Sequence, residues 1–101
     1  MVEDPFEQYI AEIRRQSLIP IDERQLMNAA RERDVKAKDE LIKSYLYITA
    51  LIALRLARPT MTPLDAIREA NLVLLRLIDK GVEKPAVELG PAIEKHFATF
   101  D

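Results

Sequence analysis

Wound at about 100° per residue, the apolar positions of this chain fall into successive helical stripes, and no stretch shows the strict alternation that marks a strand. Phe6, Tyr9, Ile10 and Ile13 recur at helical spacing behind Asp4-Pro5-Phe6-Glu7. There Asp4 can cap, Pro5 can take the first helical position at no cost in hydrogen bonds, and Glu7 can reach back. A first helix to about Arg15 is predicted. Ser17-Leu18-Ile19-Pro20-Ile21 follows, where Pro20 stops helix continuation and three large aliphatics predict a connector that packs down. Asp22 can cap a second helix, with Gln25 in the capping-box position. In it Leu26, Met27, Ala29 and Ala30 face inward until the charge cluster Arg31-Glu32-Arg33-Asp34.

The strongest apolar signal runs from about Val35 to Arg58, through Leu41, Ile42, Tyr45, Leu46, Ile48, Leu51, Ile52 and Leu56. Past Tyr45 almost the whole circumference is apolar, which predicts a central helix packed on several sides and ended by Pro59. Thr62-Pro63-Leu64-Asp65 repeats the start signal, and Gly81 supplies a left-handed stop, so a fourth helix has both ends written in sequence. Glu83-Lys84-Pro85 and Gly90-Pro91 then break the pattern twice, and a short last helix is expected from Pro91 to about Thr99. The expected fold is all-α, a compact bundle of four to five helices in a single domain over 1–101.

At 101 residues and with only two glycines, the chain is long enough for one modest helical core, so function is expected on a surface or shallow groove. The absence of cysteine excludes a disulfide framework, a thiolate zinc site and a cysteine nucleophile, and fits a reducing compartment. The acidic start MVEDPFEQ does not resemble a signal peptide. The longest apolar run, Leu46 to Ala57, is interrupted by Thr49 and Arg55 and falls short of the roughly 20 residues of a membrane span. A cytoplasmic protein without membrane contact is expected. The net charge of −2 supplies no general attraction to phosphate, so any contact with DNA is expected to be local and weak.

Catalytic chemistry is sparse. His96 is the only histidine, with no nucleophile or acid at a recognisable spacing, and is expected to be a partly exposed helical residue. Asp65 and Glu69 share a helix face, but a lone pair of carboxylates is usually a solvated face rather than a metal site. No enzyme, cofactor or metal is expected.

The fourth helix carries the informative irregularity. Its apolar arc includes Asn71 at its edge, and its charged arc includes Leu72 among Asp65, Arg68, Glu69, Arg76 and Asp79. Asn71, Leu64, Leu75, Arg68, Leu72, Asp65 and Glu69 form one stripe that mixes aliphatic anchors with both charge signs, which suits a helix docking on another protein.

Several of these segments resemble the N-terminal conserved part of bacterial sigma-70 family RNA polymerase sigma factors. Asp4-Pro5 with Tyr9-Ile10-x-Glu12-Ile13, then Leu18-Ile19 and Asp22-Glu23, looks like that family's first conserved segment. Ala37-x-x-x-Leu41-Ile42-x-Ser44-Tyr45-Leu46 is similar to its Ala-x-x-x-Leu-Ile-x-x-Asn-Leu stretch, with Tyr45 at the usual Asn. Leu64-Asp65-Ala66-Ile67-Arg68-Glu69-Ala70-Asn71-Leu72 resembles Leu-Asp-Leu-Ile-Gln-Glu-Gly-Asn-Leu. The resemblance covers about residues 4–80 and implies a fold like that family's second domain.

It further implies that the fourth helix binds the clamp helices, a coiled coil of the polymerase beta-prime subunit, through Leu64, Asp65, Glu69, Asn71 and Leu75, with Arg68 matching by position only. Leu72 joins them on the reading of the stripe itself. Residues 81–101 depart from the family, whose next helix is basic and aromatic and captures promoter bases by stacking. Here Glu83, Glu88, Glu94 and Asp101 outnumber Lys84 and Lys95, Phe97 and Phe100 are the only aromatics, and tryptophan is absent. Impaired or absent promoter melting is expected. The alternative is a helical module that kept the fold and uses the same stripe for self-association as a homodimer.

Overall fold

Five helices account for most of the computed structural model, which describes residues 4–17 and 23–100: α1 (Pro5–Ser17), α2 (Glu23–Arg31), α3 (Val35–Leu56), α4 (Pro63–Lys80) and α5 (Pro85–Phe97). The described residues contain no strand. The expected packed-down connector around Pro20 and the Asp22 cap lie outside the described residues.

The start signals work as their chemistry predicts. Asp4 Oδ1 accepts the Phe6 N–H at 3.0 Å, and α1 runs two residues beyond Arg15. Thr62 caps α4 by accepting the Asp65 N–H at 3.1 Å, with Pro63 in the first turn. At the other end Gly81, at φ 69°, turns its N–H back to the Ile78 carbonyl. Asp34 caps α3 by accepting from the Ala37 N–H at 3.1 Å, directly after Arg33 takes a left-handed turn at φ 68°.

The centre is α3, which contacts α1, α2, α4 and α5, its most extensive partner being α4. Ala50, Ala53, Ala66 and Ala70 are all fully buried, so small side chains let these two helices approach closely. The ladder Leu41, Tyr45, Thr49, Ala53 forms the buried edge of α3. Thr49 is tolerated there because its hydroxyl donates to the Tyr45 carbonyl at 2.7 Å. As predicted, α3 is packed on several sides, and one side stays open, with Ile48, Leu51 and Leu54 exposed. The molecule measures 39 × 38 × 18 Å, and a thickness of under two helix diameters leaves a central helix one open side.

The C-terminal helix is longer than Gly90-Pro91 predicts. It starts at Pro85 and passes through Pro91, ending at Phe97. Pro85, Leu89, Ile93 and Phe97, each four residues on, are buried as one stripe. Burial of that stripe against α3 and α4 outweighs the hydrogen bond that Pro91 cannot donate.

Candidate protein-docking face

The α4 stripe divides into an exposed group and a group turned inward. Leu64 and Leu72 are 53% and 41% exposed, and between them Asp65 and Arg68 are exposed and paired at 3.6 Å. These four residues, at spacings of one, three and four, make a continuous outward patch with aliphatic ends and a self-neutralised centre. Leu75 is half-buried beyond Leu72.

Glu69 and Asn71 behave differently. One carboxylate oxygen of Glu69 lies 3.0 Å from His96 Nε2, so this side chain bridges α4 to α5. His96 is a partly exposed helical residue, as expected, and its ring meets Phe100 edge-on with centroids 5.4 Å apart. Asn71 is half-buried, and its amide oxygen is buried without a hydrogen-bond partner.

Three polar contacts escaped the sequence because they join distant residues. The Tyr45 hydroxyl donates to Glu23, tying α3 to α2. Burial pushes the Glu23 carboxyl above its ordinary value, with Lys84 pulling it partly back. Arg31 reaches from α2 to the end of α4, where Nε and Nη2 donate to the Gly81 carbonyl at 2.9 and 2.6 Å. Lys38 and Asp79 pair across α3 and α4. Tyr45 carries the one available signal, a hydrogen-bonding group at the inward edge of a helix.

Among the described residues no set of three or more histidine, cysteine or carboxylate side chains could hold a metal ion, and Asp65 and Glu69 turn to Arg68 and His96 respectively. No described helix is long and apolar enough to cross a membrane. In α5 Phe97 is buried, and Phe100 just beyond it is half-buried against His96 and Phe97. Neither ring is presented as a free stacking platform.

No family model matches the chain, and comparison with curated proteins and with solved structures finds no match. The fold and the patch define an all-helical protein whose most distinctive surface is a helix face.

Proposed function

We propose that this chain is a sigma-like transcription protein that docks the outer face of α4 on the clamp helices of the RNA polymerase beta-prime subunit, without melting promoter DNA. The observation that carries the reading is the exposed Leu64, Asp65, Arg68 and Leu72 patch, which lies on the helix with the nearest resemblance to the sigma-70 family. Leucines at this spacing are anchors for a facing helix, and covering the exposed half of one yields about 1.4 kcal/mol, roughly tenfold in affinity. Asp65 and Arg68 can exchange their mutual pair for partners on the coiled coil, setting orientation more than strength. The acidic, aromatic-poor surface of α5 supports the second half of the reading, since capturing unstacked bases needs exposed rings and cations.

The deciding experiment is capture of the full chain on an immobilised beta-prime clamp-helix fragment. Binding that falls roughly tenfold with Leu72→Asp and again with Leu64→Asp is expected. Absence of binding, or binding indifferent to both changes, overturns the proposal. If the chain instead forms a dimer that Leu72→Asp dissociates, the α4 patch is a self-association surface. A mobility shift on minus-ten single strands at low salt is expected to show no complex; a tight one contradicts the absence of melting.

A further inference from the structure

We propose that the Glu69–His96 contact is a latch on the α4 docking face: α5 holds back a carboxylate that the face could offer a basic partner, and docking exchanges His96 for a cation of that partner. The inference rests on the docking reading above and adds its regulation. Glu69 stands four residues after Asp65 and three before Leu72, so it borders the exposed Leu64, Asp65, Arg68 and Leu72 patch. Asp65 is answered by Arg68 at 3.6 Å, which leaves that patch without net charge. The Glu69 carboxylate, which would change this, instead accepts from His96 Nε2 at 3.0 Å.

The contact is placed to open. The Glu69 and His96 side chains are 28% and 19% exposed, so the pair sits at the rim of the α4–α5 junction, within reach of water or a partner. The attachment of α5 does not depend on it, because Pro85, Leu89, Ile93 and Phe97 are buried along that helix and hold it down. His96 keeps a neighbour without Glu69, since its ring meets Phe100 edge-on. Glu69 has no such substitute on its own helix. Asp65, Ala66, Leu72 and Val73 occupy the positions three and four residues away, and none is a cation, so a carboxylate released by His96 is open to a lysine or arginine of the docked helix. Opening adds one negative charge to a face that is otherwise self-neutralised, and this selects a basic partner surface. Linkage makes the effect reciprocal: what weakens the latch strengthens docking, and docking loosens the latch.

Capture of the full chain on the immobilised clamp-helix fragment reads the latch directly. His96→Ala should bind about fivefold to tenfold more tightly than wild type, the worth of one partly exposed hydrogen bond, with helical circular dichroism unchanged. His96→Gln, whose amide N–H can still donate to Glu69, should bind as wild type does. Glu69→Ala should cancel the gain, so that chains carrying it bind equally with and without His96→Ala. In wild type the imidazole resonances of His96, the only histidine, should shift when the fragment is added; unmoved resonances overturn the exchange. Capture of wild type that His96→Ala leaves unchanged or weakens overturns the latch while polymerase docking stands, and so does a gain that survives Glu69→Ala. Absence of capture for wild type and His96→Ala alike overturns docking and the latch with it.

Discussion

Asn71 sits where stability and the proposed docking would pull in opposite directions. Its buried amide oxygen lacks a partner, a deficit that costs about 1–3 kcal/mol for a fully buried group, and alanine is the better helix former. Asn71→Ala is therefore expected to leave the urea midpoint unchanged or raise stability by up to about 1 kcal/mol, even as it weakens clamp binding. A loss of both together would make Asn71 merely structural. Gly81 and Arg33 form a matched pair at φ 69° and 68°. At Gly81 an added Cβ would lie 3.1 Å from Arg31 Nε, so Gly81→Ala should cost about 1 kcal/mol or more in thermal unfolding. Arg33→Gly should do the reverse, gaining up to about 1 kcal/mol as backbone strain is relieved.

Glu23 contributes a pH dependence with a definite sign. Burial raises its folded-state value above the ordinary 4.5, so the fold favours the protonated carboxyl. That contribution is complete below 4.5 and is lost as pH rises through the raised value. Denaturant titrations between about pH 4 and pH 7 should show wild type losing stability relative to Glu23→Gln, whose amide oxygen can still accept from Tyr45. Parallel curves would contradict the assignment. None of this was visible in sequence, because the group that covers Glu23 comes from helices far along the chain.

At the scale of elements, α4 was the most legible, since Thr62, Pro63 and Gly81 act on their immediate neighbours. Local chemistry decides a helix end. The last helix was misread for the converse reason: Gly90-Pro91 is a local breaker, and only packing of Pro85, Leu89, Ile93 and Phe97 makes the helix continue through it. Gly90 has nothing within 4 Å of where a Cβ would stand. Gly90→Ala should thus raise stability by about 0.5–1 kcal/mol, an increase of several degrees in a thermal melt. A fall in melting temperature would mean that α5 needs flexibility at this point. Similarly, the stripe on α4 was predicted as one surface of seven residues, yet Glu69 is drawn aside by His96 of α5. A helical wheel cannot know which neighbour lies beside it.

For the whole molecule, a single buried cluster draws residues from all five helices, Ile13 and Met27 through Leu41, Leu74 and Phe97. Leu74 is completely buried near its middle, so Leu74→Ala should cost about 2–5 kcal/mol. Exchange of amides in α1 and α5 should accelerate together; loss of protection confined to α4 would argue against one cooperative unit. The thin 18 Å dimension explains why so small a protein keeps large aliphatics on three helices in solvent. By itself the sequence determined that the chain is helical, roughly where four of the five helices begin, and that Leu72 stands outside the protein's own core. These follow from contacts within one or two turns. The tertiary structure decided that α5 runs through Pro91, that Glu69 belongs to His96, and that α3 keeps one side open. Each depends on which distant surface arrives to cover a side chain, and periodicity along one helix carries no information about that.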